Sequence, residues 1–146
     1  MDLRAGTADD QAAIHDLLRD SRLPVDDLGT AAVDFTVATD AAGLIGVVGL
    51  ESFGDVGLLR SLAVRDGQRG RGLGERLVGA VEARAAALGL RQLVLLTETA
   101  APFFARRGYA AIAREQAPAS VRHSAEFRSI CPASATCMIK SVEVSP

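Results

Sequence analysis

The 146-residue sequence contains no tryptophan, a single tyrosine and two cysteines, and aromatic residues make up only 4% of it. Sulfur is too sparse for a disulfide scaffold. Cys131 and Cys137 form no C-x-x-C pair, and His15 and His123 stand isolated, so the spacings of a structural zinc site are missing and no metal is expected. No apolar run approaches the roughly 20 residues that cross a bilayer. The opening MDLRAGTADD also lacks the basic-then-apolar profile of a secretory signal. The expectation is a cytoplasmic protein with no membrane partner. Neither sign of charge dominates: a formal net charge of -2 gives no electrostatic reason to expect nucleic acid. Repeats, low-complexity tracts and linkers are absent, and the length fits one domain spanning 1–146.

What is present is a 49% apolar chain, enough to bury a proper core. Asp2 to Ala5 reads as a strand. Thr7, with Asp10 three residues on, gives a capping-box-like start to a helix that buries Ile14, Leu17 and Leu18 and ends before Pro24. The segment 24–28 reads as a loop or short second helix. Strand-like runs follow at Val33 to Thr39, Leu44 to Glu51 and Val56 to Val64. Turns at Asp40 to Gly43 and at Gly54-Asp55 make them an antiparallel meander. Gly46, Gly49 and Gly57 inside these runs point to bulges or close backbone approach.

Beyond Val64 the period changes. Glu75 to Leu88 is helical, with Leu77, Val78, Val81, Ala85 and Leu88 on one stripe and Gly89 as its C-terminal cap. Arg91 to Thr97 is a buried strand, and a short helix over Pro102 to Arg107 stops at Gly108. Tyr109 to Ala113 is a strand, a polar helix lies near Ser120 to Phe127, and Thr136 to Val144 is the last strand. The order describes an α/β fold: a mixed sheet with helices on both faces.

The chemistry concentrates in Arg60 to Gly74, RSLAVRDGQRGRGLG. A buried strand runs into a loop with Gly70, Gly72 and Gly74 at alternate positions, and a helix starts there. Helix N-termini expose unpaired N–H groups and a positive dipole end, glycine lets backbone approach a phosphate, and Arg65, Arg69, Arg71 and Arg76 add positive charge. A pyrophosphate is the natural ligand. A P-loop is excluded because Glu75-Arg76, not Lys-Ser/Thr, follows Gly74, and G-x-G-x-x-G fails at Glu75 and Leu77.

Arg69-Gly70-Arg71-Gly72-Leu73-Gly74 resembles R-x-x-G-x-G, the acetyl-CoA pyrophosphate loop of the GCN5-related N-acetyltransferases (GNAT family). Ser61 to Val64 resembles that family's fourth strand, and Phe103 to Tyr109 its F-Y-x-x-x-G-F helix-strand element. Leu3-Arg4-Ala5 with Asp9 and Asp10 is similar to its opening. The resemblance implies a mostly antiparallel sheet whose fourth and fifth strands splay apart around acetyl-CoA. It further implies cofactor contacts from Leu62, Ala63, Val64, Arg69, Gly70, Arg71, Gly72, Leu73 and Gly74 and, farther along, Thr99, Phe103 and Phe104. The implied partner is a small-molecule amine; a homodimer is left open. A narrower resemblance, carried by Leu23-Pro24 with Asp26-Asp27-Leu28, Gly57 to Ser61 and Cys131 to Ala135, is to an arsenic-resistance-associated branch. That branch stands near the amino-acid acetyltransferases of the N-acetylglutamate-synthase type.

The family places a proton-donating tyrosine where this chain has Phe104, which donates nothing. Tyr109 takes the motif's packing position. Glu51 and Glu98 are the candidate bases, since the acceptor amine must lose a proton before attack. Glu51 ends an apolar strand, where partial desolvation suits proton abstraction, although a solvated strand end is the alternative. Arg60, Ser134, Asp26 and Asp27 are the candidates for acceptor recognition. Arg60 is costly to bury unpaired and reads either as a carboxylate clamp or as half of a structural ion pair. Cys131 reads as a thiolate able to touch an arsenical or as a packed thiol. The expected activity is acetyl transfer to an amino acid or amino-acid analogue; a protein amine acceptor and a non-catalytic CoA sensor are the alternatives.

Overall fold

The computed structural model describes residues 2–28, 32–130 and 134–142, with backbone only at 129 and 130. Seven strands form one sheet in the order β1-β2-β3-β4-β5-β7-β6. The strands are β1 (Asp2–Ala5), β2 (Val33–Asp40), β3 (Gly43–Phe53), β4 (Val56–Val64), β5 (Gln92–Thr97), β6 (Ala110–Ile112) and β7 (Thr136–Ser141). The α-helices are α1 (Gln11–Asp20), α2 (Leu73–Ala87), α3 (Ala101–Ala105) and α4 (Ala119–Arg122). The β1–β2, β2–β3, β5–β7 and β6–β7 pairings are antiparallel, while β4 and β5 run parallel through Val56–Leu58 and Gln92–Val94.

The chain divides into two compact units. The first comprises Met1–Glu51 with Leu59–Arg84, and the second Ser52–Leu58 with Ala85–Pro146. In the first, a capping box closes the start of the helical segment: Thr7 N–H donates to Asp10 Oδ2 at 2.7 Å, and Arg4 grips the same carboxylate with both Nη atoms. Ile14, Leu17 and Leu18 of α1 pack on Phe35, Val37, Leu44, Val47 and Ala63. Each of these side chains larger than alanine contributes roughly 1.5–3 kcal/mol on burial. A register shift beside Ala38 and Thr39 keeps Leu44 and Val47 on that one face.

Gly46 faces the other side. A Cβ there would stand 3.0 Å from Leu77 Cδ1 and 3.2 Å from Leu73 Cδ2, so the glycine lets α2 seat closely on β3. Helices therefore flank the sheet on both faces, as the alternation of elements implies.

In the second unit Val56, Leu58, Val94, Ala117, Val121 and Cys137 form the core. Gly89, at φ 77, ends α2 as expected, with Leu90 N–H donating to Ala85 C=O and Gly89 N–H to Ala86 C=O. Some boundaries differ from the sequence reading. Segment 24–28 is a turn closed by Leu28 N–H to Val25 C=O, not a helix. α2 begins at Leu73 because the left-handed glycine, not the first charged residue, marks where helical bonding starts. The expected helix near Ser120 to Phe127 is broken into α4 and a wide turn over Glu126–Ile130. The last strand is described to Ser141; its expected end at Val144 and Cys131 lie outside the described residues.

Candidate functional site

Strand β4 carries the most unusual backbone. Ser61 has φ 59, the left-handed region that a non-glycine residue adopts at a cost of order 1–3 kcal/mol. Its consequence is visible on the two sides of the strand. Arg60 lies against Gly49 on the α1 face, and Ala63 packs in the α1 core, whereas in an unbroken strand residues 60 and 63 would point to opposite faces. The kink at Ser61 brings both to one face.

Arg60 is the centre of a buried ion trio, its side chain 0% exposed. Nη1 donates to Asp27 Oδ2 at 2.5 Å and to Glu51 Oε1 at 3.1 Å, Nη2 to Asp27 Oδ1 at 2.7 Å, and Nε to Ser61 Oγ at 3.3 Å. The fork-on-fork pairing with Asp27 is the strongest geometry available to a guanidinium. It holds the Asp27 carboxyl below the usual carboxylate range, mainly through the Arg60 hydrogen bonds and against the opposing effect of burial. Three residues singled out in the sequence, Asp27, Glu51 and Arg60, thus meet at one point, and Arg60 takes the ion-pair arrangement of its two readings. Asp26 is exposed beside them.

Space for Arg60 comes from Gly49: a Cβ there would lie 2.7 Å from Val33 Cγ1, 3.2 Å from Phe35 Cε1 and 3.3 Å from Arg60 Cγ. The kink and the meeting of the three side chains were not legible as such: the sequence marks Asp27, Glu51 and Arg60 separately and a glycine inside an apolar strand, but not that they come together.

At the far end of β4 the loop 65–72 leads into α2. Gly70 (φ 80) and Gly72 (φ 77) are left-handed, and beyond the adjoining residues no heavy atom lies within 4 Å of a Cβ placed at either. The chain there is a bare backbone surface. The first helical bond runs from Arg76 N–H to Gly72 C=O, so the amides of Leu73 and Gly74 precede any carbonyl four residues back in the helix and point out of its N-terminus. Leu73 is buried and anchors that turn, while Arg65, Arg69 and Arg71 are exposed. Arg69 donates through Nε to Val64 C=O at 3.0 Å and pairs with Asp66 at 3.0 Å; both partners of that pair are well exposed, at 60% and 90%. Leu62 and Val64 are partly buried and Ala63 is buried.

The remaining candidates belong to the second unit. Phe104 is buried and meets both Phe103 and Tyr109 edge-on, at centroid separations of 5.1 and 5.4 Å. Arg107 lies 3.8 Å from the Phe103 ring centre and donates to Phe103 C=O. Tyr109 is buried, with Lys140 Nζ 5.3 Å from its ring, in keeping with a packing position. Glu98 and Thr99 are exposed on the bend after β5, and Ser134 is exposed on a turn before β7. Burial pushes the Cys137 thiol above its ordinary value, partly offset by the charge of Arg114, which leaves it a core side chain. Among the described residues no group of three or more His, Cys, Asp or Glu side chains is arranged to hold a metal ion.

Residues 31–111 match the family described as the acetyltransferase (GNAT) domain. The chain belongs to that family, whose members are acyl-CoA-dependent N-acetyltransferases. Over 66 residues, 45% of this chain and 15% of the other, it is 42% identical to an amino-acid acetyltransferase of Azotobacter vinelandii. The fold resembles N-acetylglutamate synthase from Neisseria gonorrhoeae, solved with coenzyme A and N-acetyl-glutamate. That likeness has a TM-score of 0.81 and 19% identity, and it covers 98% of this chain and 36% of that one. It also resembles the Mycobacterium tuberculosis protein Rv2747, solved with CoA, at a TM-score of 0.81 and 24% identity over 98% of this chain and 100% of that one. The chain therefore spans about a third of the synthase's length and a smaller share of the curated acetyltransferase.

Proposed function

We propose that this chain moves the acetyl group of acetyl-CoA to the amine of a small molecule, an amino acid or an amino-acid analogue. The observation that carries the reading is the bare left-handed backbone at Gly70 and Gly72 opening onto the first amides of α2, a surface suited to a diphosphate. The donors present fit a CoA diphosphate: the Gly70-to-Gly74 backbone with Arg69 and Arg71, and β4 backbone at Leu62 to Val64 for the pantetheine arm. The family resemblance also assigns Thr99, Phe103 and Phe104 to the cofactor. Val64 C=O already accepts from Arg69 Nε within the chain and keeps a second lone pair for the pantetheine arm.

Chemistry then divides among few groups. Glu51 takes the proton of the acceptor ammonium, which frees the nitrogen lone pair for attack on the thioester carbon, with Glu98 as the alternative base. A backbone N–H near Leu62 or Ala63 stabilises the tetrahedral oxyanion, a contribution of about 3 kcal/mol. The C–S bond breaks with the electron pair leaving on sulfur. A thiol of ordinary pKa, about 8.5, departs as thiolate without a dedicated acid, which accords with Phe104 at a position that cannot donate. Asp26, Asp27, Arg60 and Ser134 are assigned to the acceptor side. The relative named an amino-acid acetyltransferase supports an amino-acid acceptor. An arsenic-containing amino-acid analogue remains the finer form of that reading, with Cys131 as the soft contact.

The buried phenyl of Phe104 favours one second reading, a CoA-binding sensor without turnover. Thiol release from acetyl-CoA over a panel of amino acids separates the two: release with at least one amine supports the enzyme, and tight CoA binding without release leaves the sensor. Gly72→Val tests the loop. Valine at φ 77 costs roughly 1–2 kcal/mol of backbone strain but meets no neighbour, so the protein should stay folded while calorimetry records at least a ten-fold loss of CoA affinity. Unchanged affinity in the folded variant would sink the assignment.

A further inference from the structure

We propose that Asp66 competes with the CoA diphosphate for Arg69, and so sets how tightly the loop holds the cofactor. The inference rests on the reading of the loop as the diphosphate site. Asp66 is the one acidic residue of segment 65–72, which otherwise consists of arginines, glycines and Gln68. Its position follows from the backbone. Residues 65–68 form a tight turn: Gln68 N–H donates to Arg65 C=O at 3.0 Å, and Gly67, at φ 89, supplies the left-handed third position. Asp66 is thereby set at the corner, three residues before Arg69, and Arg69 folds back toward it.

The two contacts of Arg69 differ in kind. Nε donates to Val64 C=O at 3.0 Å, at the end of β4, where the next amide, Arg65 N–H, is itself tied to Ile45 C=O of β3. Nη1 lies 3.0 Å from Asp66 Oδ1, but that pair joins two well-solvated side chains and holds weakly. The guanidinium is thus anchored at one corner by fixed main chain and loosely engaged at another. Arg69 directly precedes Gly70, whose left-handed backbone, with that of Gly72, leads to the first amides of α2. A diphosphate on those amides brings two negative charges beside the same guanidinium. Nε can stay on Val64 C=O while Nη1 changes partner, so the exchange asks for no rearrangement of the loop. Asp66 is almost fully exposed, and at physiological salt its field elsewhere on the loop is largely screened, so its influence runs through Arg69. CoA therefore binds less tightly than Arg65, Arg69 and Arg71 alone would hold it, and the product, which carries the same diphosphate as acetyl-CoA, leaves more readily.

Calorimetry with CoA on four chains tests this: wild type, Asp66→Asn, Arg69→Ala and the double variant. Asp66→Asn should bind CoA about three- to five-fold more tightly than wild type, the range to which an exposed ion pair converts. In the Arg69→Ala chain the same substitution should change the affinity less than about two-fold, because the side chain competed for is gone. Unchanged or weaker CoA binding by folded Asp66→Asn overturns the proposal. A gain of equal size with and without Arg69 also overturns it, since bulk charge rather than exchange would then be the cause. Should asparagine disturb the turn, seen as a lowered melting temperature, Asp66→Ser takes its place in the same cycle with the same expectations. Gly72→Val keeps the two possible failures apart. If it weakens CoA binding while Asp66→Asn does nothing, the loop holds the diphosphate and only the role of Asp66 is wrong. If neither variant alters CoA affinity, the diphosphate reading fails and takes the proposal with it.

Discussion

Two arginine environments lie on either side of Ser61, and they differ in almost every physical respect. Arg60 is fully buried and engages each guanidinium nitrogen within the chain, whereas Arg69 is more than half exposed and pairs with an even more exposed Asp66. A buried guanidinium holds its place only because its partners offset the loss of hydration, and once so held it is part of the framework. An exposed one gives up little when it exchanges a solvated aspartate for a phosphate. Fixed charge suits alignment of a reacting group; loose charge suits capture of a polyanion. The two kinds are separated here by only a short stretch of one strand and its loop.

Removal of the fixed member should have the largest effect. Arg60→Leu strands Asp27 and Glu51 without their counter-ion, and the expected loss is about 3–5 kcal/mol of unfolding free energy, read from urea denaturation. A loss near the 1 kcal/mol of an exposed pair would erase the distinction between the two arginines. Acid should act more gently. Arg60's hydrogen bonds depress the Asp27 carboxyl in the folded chain, so the unfolded chain takes up the proton first. That contribution is complete above the ordinary carboxylate pKa of about 3.9 and is lost as pH falls below it through the depressed value. Melting temperatures measured from pH 6 down to pH 2 should fall, and Asp27→Asn should flatten the fall in part. Asp10, depressed in the same way by Arg4 and by the Thr7 amide, accounts for some of what remains. The smallest effect on stability belongs to Arg69→Ala, within about 1 kcal/mol of wild type. The same variant should bind CoA about ten-fold more weakly, a deficit that shrinks as salt is added.

The same contrast explains what could be read from sequence. Local signals were enough for the shape of the loop: glycines at 70 and 72, the strand before and the helix after all act within a few residues. The capping box at Thr7 and Asp10 and the close approaches at Gly46 and Gly49 were legible for the same reason. The trio was not, because Asp27, Glu51 and Arg60 meet through three separate segments, and an arginine in an apolar strand says only that some partner must exist. The kink at Ser61 was hidden further, since serine has no preference that announces φ 59. Helix breakage after Arg122 escaped for a related reason: Ser124 caps the next turn through its own hydroxyl, with Phe127 N–H donating to Oγ at 3.3 Å, and that competes with continued helical bonding.

The place of β7 between β5 and β6 has a consequence for biosynthesis. The last of the described strands is the one that joins two made earlier, and the only described ladder of β6 is to β7. As the chain leaves the ribosome, β5 and β6 emerge with their β7-facing edges open, and pairing must wait for the closing segment to arrive from some forty residues downstream of β5. An unfilled gap between strands is a template for foreign strands, so the interval before β7 emerges is when this protein is most exposed to aggregation and most in need of a chaperone.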